Sequence, residues 1–254
     1  MEPSLLEALD VRGYSAVAAV AHDRGPPGGS LANPHAFVCD DGKTYWVKSA
    51  AQYGLVAELV GGRLAATARV GPLARIVSVD AAALPADGSA NHLQGVLVGI
   101  EDRPGTVNNK DIAAILNGGA LDESRIDAKT RGGVIVFQTW VGAEDSQLLV
   151  NLTTGQITTI DHGGCFGAVS TPVPPSIIVT PIAGISDDVG RQADCVDTVL
   201  DSIEAITDDD LLKAVARVPD EPAWQADRAR RLQIAEWLSF RRGQLRAAVG
   251  KWLS

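Results

Sequence analysis

Lys48 closes the apolar, strand-like run "TYWVK", where a lysine is costly unless its ammonium is solvated or paired. Glu58 follows ten residues later within a helical pattern, on the side of Leu55 and Val56 rather than in a polar stretch. A helix packed on the strand's sheet would aim that carboxylate at the ammonium. The plainer alternative is a lysine reaching water at a strand edge and a glutamate on the surface. A third charge, Asp161, ends the alternating run "QITTI" and enters a turn with Gly163 and Gly164. Asp and Gly favour turns on steric and hydrogen-bonding grounds alone. A carboxylate presented at a strand end, with small residues beneath it, can equally grip a ligand. Upstream, "GPPGGS" contributes Gly28, Gly29 and Ser30 between two strands that would pair. Backbone N–H groups there could meet phosphate without interference from Cβ atoms, or the segment is an ordinary loop.

Other chemistry is poorly supported. "GKT" at 42–44 resembles the end of a phosphate-binding P-loop, but Phe37 stands where the leading glycine is needed and a strand follows instead of a helix. No Gly-x-Ser-x-Gly elbow occurs. Cys39, Cys165 and Cys195 lie far apart without disulfide or zinc spacing, and Cys165 reads as a small buried filler. The four histidines are isolated in sequence and suggest no cluster.

The elements that must position these residues are legible. A strand covers 14–23, a loop 24–34, and a hairpin follows, turned by Asp41-Gly42. Residues 52–68 have helical apolar spacing, and the pair Gly61-Gly62 inside it points to close packing, since each glycine costs about 1 kcal/mol against alanine. "LARIVSV" and "LQGVLVGI" read as strands and 109–117 as a short helix, while 132–144 is a buried helix or strand. A hairpin turned by "TTG" spans 146–160, and the four prolines of 170–181 demand extended or looped chain. Beyond Asp194 the pattern is helical, with Thr207 and Asp208 as N-cap candidates and an amphipathic stretch from Trp224 to Leu253.

A chain of 254 residues can bury a core without staples. No run of 18 apolar residues occurs, and the acidic start "MEPSLLEALD" is unlike a secretory signal, so a cytoplasmic protein without membrane contact is expected. The formal charge is −9; residues 221–254 carry seven basic against three acidic side chains, which leaves the first 220 residues at −13. Such an acidic body disfavours nucleic acid, and the basic tail reads as the solvated face of a helix.

The order of these features is that of a protein kinase, and the chain resembles the HipA-like kinases, a bacterial offshoot that also looks like phosphatidylinositol kinases around the active site. The resemblance runs over nearly the full length. It rests on "YWVKSA", on "LVAELVGGRLA" with "VGPLARIVSVD", on "FQTWVGAEDSQLLVNLTTGQITTIDHGGCFG", and on "LLKAVARVP" and "EWLSFRRGQL". It implies an α+β, two-lobed protein-kinase-like fold. Residues 1–100 would form a β-rich N-terminal lobe with the Gly-rich loop, and 101–254 a helical C-terminal lobe. It implies ATP and Mg²⁺ as cofactors, with Lys48 as the ATP lysine, Glu58 as its partner, Asp145 as the catalytic aspartate and Asp161 as the metal aspartate. Phosphoryl transfer to a hydroxyl, most often a protein Ser or Thr, would follow; a lipid or small-molecule hydroxyl is the other acceptor class. HipA-like toxins act with antitoxin-like regulatory partners, although nothing in this chain marks one.

The catalytic loop departs from the family pattern Gly-Asn-x-Asp-Arg-His-x-x-Asn-Leu-Leu. Here "GAEDSQLLVN" has Ala143 for the first Asn, with Ser146 and Gln147 in place of Arg and His. The second metal ligand is then either Asn151 or, if three residues are lost from the loop, Gln147. The altered loop also motivates an alternative: a pseudokinase that holds nucleotide or a partner without efficient transfer.

Overall fold

The computed structural model describes residues 7, 9–10, 13–26, 33–49, 54–108, 127–143, 147–166, 193–219 and 221–254. The N-terminal part is strand-rich. Strands β1 (Ala16–Arg24), β2 (His35–Cys39), β3 (Thr44–Lys48), β4 (Ala74–Val79) and β5 (Gly95–Glu101) close a barrel in the order β1-β2-β3-β5-β4. All neighbours are antiparallel except β1 and β4, which run parallel. The Asp41-Gly42 turn forms between β2 and β3: Gly42 takes φ +77°, and the Asp41 side chain accepts from the Lys43 N–H at 3.1 Å.

Side-chain alternation gives the sheet two faces. Phe37, Tyr45 and Val47 point into the barrel and are fully buried. Gly99 belongs to this side, where a Cβ would come within 2.6 Å of Val77 and 2.9 Å of Tyr45. Trp46 and Lys48 point the other way, beside Val98, Ile100 and Ala74 in register. Helix α1 (Leu55–Thr67) packs on this second face. It is buried almost all round, which identifies a core helix rather than a surface one. The glycine pair does provide close packing: at Gly62 a Cβ would sit 2.5 Å from that of Ala74.

Beyond β5, a short strand β6 (Thr106–Asn108) joins the hairpin of β7 (Gln147–Asn151) and β8 (Ile157–Ile160) in a three-stranded sheet of order β6-β7-β8. β6 is absent from the sequence expectations. The ambiguous 132–144 segment is a helix, α2 (Ala128–Val141), with Val134 through Trp140 buried. It ends at Gly142, φ +60°, followed by a bond from the Ala143 N–H to the Gln138 carbonyl. Helices α3 (Ala193–Glu204), α4 (Asp208–Ala216) and α5 (Arg228–Leu253) complete the described chain. Thr207 forms a capping box with Asp210 at the start of α4. Asp208 instead pairs with Arg242 at 2.7 Å and accepts from Ser239. The indole of Trp140 donates to the Leu238 carbonyl, and Arg241 donates to the Trp140 carbonyl, so α2 and α5 are tied by polar bonds as well as apolar packing. The short helix expected at 109–117 and the proline-rich 170–181 segment lie outside the described residues. Among the described residues no helix is long and apolar enough to cross a membrane.

Three histidines isolated in sequence meet in space. His22 Nε2 lies 3.0 Å from His35 Nδ1, and the rings of His35 and His92 are 5.9 Å apart. Strand pairing brings them together, since His22 faces Phe37 next to His35 across β1 and β2. His35 is fully buried, and burial, then the charges of His22 and His92, hold its pKa below the usual imidazole value; Asp87 opposes this. The unfolded chain takes up this proton near pH 6.5 while the folded protein resists it. The unfolded state therefore binds more protons as pH falls below about 6.5, and folding stability is lost there. Thermal melts between pH 7.5 and 5.5 should show wild-type stability falling with acid, and the fall should be shallower in His35→Gln. Equal slopes would remove this group from the acid response.

Candidate active site

Three elements bring the charged residues together. Lys48 ends β3, Glu58 stands in the first turn of α1, and Asp161 follows β8. The ammonium of Lys48 bonds Asp161 Oδ1 at 2.8 Å and lies 3.4 Å from Glu58 Oε1. Side-chain exposures are 12% for Lys48, 11% for Asp161 and 2% for Glu58, so the cluster is close to dry. Burial alone would lower the lysine pKa, but Glu58 and then Asp161 outweigh it and hold Lys48 above its usual range. The Glu58 pKa is raised too, for a different reason: burial pushes its carboxyl up, opposed by Lys48 and assisted by the negative charge of Asp161. Neither Glu58 oxygen has a well-aligned hydrogen bond among the described residues; the ion pair and the nearby Gly163 N–H are what favour its charged form. One ammonium against two carboxylates leaves an excess of negative charge.

Asp161 adopts the left-handed conformation, φ 60° and ψ 63°, which Asp tolerates better than most residues. The tight turn His162–Gly164 follows immediately. His162 is buried, with its ring edge-on to Phe137 at 5.8 Å and Nε2 3.4 Å from Thr159 Oγ1, which also accepts from Gln138 at 3.1 Å. Burial holds the His162 pKa down to about 3, so the ring is neutral. On its other side lies α1. A Cβ at Gly61 would fall 2.4 Å from the His162 Cβ, so glycine is what allows the helix to reach this turn.

The hairpin separates the two amide candidates. Gln147 pairs with Ile160, the residue before Asp161, and its Oε1 accepts from Asn108 at 3.3 Å. Asn151 is four residues along the strand, about 13 Å away at an ordinary strand rise. Its side-chain oxygen accepts from the N–H groups of Thr153 and Thr154 at 2.9 and 3.0 Å, closing the hairpin turn. Asp145, Gly28, Gly29 and Ser30 lie outside the described residues. Cys165 is buried and in no disulfide, as a small filler would be.

A family model described as HipA-like kinase matches residues 28–242. The chain belongs to the HipA-like kinase family. Among solved structures, the Helicobacter pylori proinflammatory kinase CtkA covers 94% of this chain and 98% of its own, with a TM-score of 0.57 and 12% identity, a likeness of fold. The Golgi casein kinase with Mn/ADP bound aligns over 97% of this chain and 77% of its own, with a TM-score of 0.40 and 12% identity. No curated protein matches the chain.

All the site residues of this HipA-like kinase named above fall inside the matched span. Sequence reasoning assigned no physical part to His162, which the structure places as a wedge between α1 and α2. The signal that pointed to it was the glycine pair in an otherwise strong helix. Gly61→Ala should gain about 1 kcal/mol of helix propensity yet lower stability overall, because overpacking against His162 costs about 1–3 kcal/mol. Denaturant titration checks this, and His162→Gly, which removes the clashing Cβ, should cost less stability in the Gly61→Ala background than in the wild type.

Proposed function

We propose that this HipA-like kinase transfers the γ-phosphoryl group of Mg·ATP to the hydroxyl of a protein Ser or Thr. The observation that carries the reading is the Lys48 ammonium held between Glu58 and Asp161. A phosphate-binding lysine must keep its charge and a fixed direction, and a buried glutamate behind it does both. In this reading Lys48 holds the α- and β-phosphates, Glu58 fixes Lys48, and the backbone around Gly28, Gly29 and Ser30 covers the phosphates. The ligand would sit between residues 1–100 and 101–254, as in a two-lobed kinase.

The donor set suits a hard divalent cation. Asp161 offers a carboxylate, Gln147 an amide oxygen one strand away, and the excess negative charge calls for a cation to balance it. Mg²⁺ is commonly held by one or two carboxylates with substrate phosphates supplying other oxygens. Bound there, Mg²⁺ would neutralise charge on the phosphates. Gln147 is the better amide candidate, because register sets it opposite Ile160, next to Asp161, whereas Asn151 lies at the far end of the hairpin.

Asp145 is assigned to orient the acceptor hydroxyl and take its proton. The acceptor oxygen forms a bond to the γ-phosphorus as the bond to the β-phosphate oxygen breaks, and ADP leaves with those electrons. The pseudokinase alternative drew on the shortened loop alone, and membership of a kinase family does not favour it.

Purified protein incubated with Mg²⁺, γ-labelled ATP and protein acceptors should transfer label to Ser or Thr. Asp145→Ala should lower the rate by roughly 10²–10⁴ while nucleotide still raises the melting temperature. Lys48→Met should remove that nucleotide-dependent stabilisation. Label transfer undiminished in Asp161→Ala would sink the assignment.

A further inference from the structure

Three consecutive residues of α1 touch three different elements. Gly61 lies against the His162 turn and Gly62 against Ala74 of β4. Arg63 donates through Nη1 to the Ala214 carbonyl at 2.8 Å and through Nη2 to the Arg217 carbonyl at 3.4 Å, both at the C-terminal end of α4. Successive helical residues point about 100° apart, so these three grip α1 from all round within a single turn. Glu58 stands one turn before them on the same helix. The end of α4 is itself held, since Arg231 of α5 donates to the Ala216 carbonyl at 2.7 Å.

Arginine is a costly choice at this position. It is half-buried, the charges nearest it are Arg75 and Arg217, and among the described residues it pairs with no carboxylate. Burial, then those two arginines, bring its pKa down to about 10, so it is still charged at neutral pH. Arg246, by contrast, meets Asp197, Asp201 and Glu204. What compensates Arg63 is the end of a helix, where the last carbonyls lack intrahelical donors and carry the negative pole of the dipole. A planar fork of donors fits two such carbonyls at once, and so restrains the turning of α1 as a single flexible ammonium could not.

We propose that Arg63 is a positioning residue for phosphoryl transfer, a hook onto α4 that sets the rotation of α1 and through it the reach of Glu58 to Lys48. This rests on the nucleotide reading of the Lys48 site and adds to it the residue that holds the glutamate's helix in place. Side-chain ends lie some 5–6 Å from a helix axis, so turning α1 by about 10° moves the Glu58 carboxylate about 1 Å. Glu58 is already 3.4 Å from the ammonium, and a shift of that size away from it breaks the contact. Lys48 is then left to Asp161 alone, 2.8 Å away, and is drawn toward the metal carboxylate instead of being aimed at the phosphates.

Steady-state kinetics and hydrogen exchange test the hook. Arg63→Met, which keeps the stem without the fork, should lower kcat/KM for Mg·ATP roughly ten- to a hundredfold, the scale of a 1 Å misplacement, with KM for the protein acceptor unchanged. Arg63→Lys, which can reach one carbonyl, should recover part of that loss. In a Glu58→Gln background the further loss from Arg63→Met should shrink to about twofold or less, because the two residues act as one unit. Independently of nucleotide, the amides of α1 should exchange faster in Arg63→Met while those of β2 and β3 do not change. A full loss in the Glu58→Gln background, or α1 exchange equal to wild type, overturns the hook while leaving the Lys48 site as assigned. Wild-type protein that does not turn over Mg·ATP overturns the kinase reading itself, and with it the part of Arg63 in transfer, whatever the exchange shows.

Discussion

An ammonium shared by two carboxylates in a nearly dry pocket survives only when all three groups are held in place. Taking such charges from water costs several kcal/mol each, and attraction repays this only in good geometry. The groups come from a barrel strand, the helix after it, and, more than a hundred residues further on, the turn after a distant hairpin. None can shift without exposing or orphaning the others. Much of the described structure can be understood as the means of keeping β3, α1 and the 161–164 turn in one relation.

That relation is enforced by close approaches. Gly62 brings α1 onto Ala74 of β4, and Gly61 brings it onto His162. After α1, the carbonyl of Val70 accepts from the Thr159 N–H at 2.8 Å, and a Cβ at Gly71 would lie 2.7 Å from the Thr159 carbonyl. The segment leaving α1 is thereby joined to β8, the strand that delivers Asp161. The left-handed backbone at Asp161 is a strained choice of roughly 1–3 kcal/mol. It persists because β8 is fixed on one side and His162 is wedged between α1 and Phe137 on the other.

The charged cluster was legible in sequence because each member broke a local rule. Lys48 ends an apolar strand, Glu58 stands on an apolar helix face, and Asp161 terminates an alternating strand. The hairpins declared themselves through Asp41-Gly42 and "TTG", and α4 through its Thr207 cap. Periodicity could not decide 132–144, where apolar residues run together without a clear helical or strand spacing; packing against α3, α5 and β8 is what makes it helical. β6 is three residues long and owes its existence to β7. The His22–His35–His92 cluster was illegible for a different reason: its members lie on separate elements, and strand register decides which rings meet. The choice between Gln147 and Asn151 also depended on register, since spacing from Asp145 cannot say which end of a hairpin an amide occupies.

The same sheet face carries two cations, each held by two carboxylates, and their surroundings set them apart. Lys48 sits between groups at most 11% exposed, whereas Arg24 is 48% exposed and its partners Asp23 and Asp102 are 35% and 15% exposed. At 4 Å a pair of unit charges is worth about 1 kcal/mol in water and about 4 kcal/mol at the effective dielectric of a protein surface. Breaking the Arg24 contacts therefore lies near the lower figure, because water replaces them. Breaking those of Lys48 strands a buried charge.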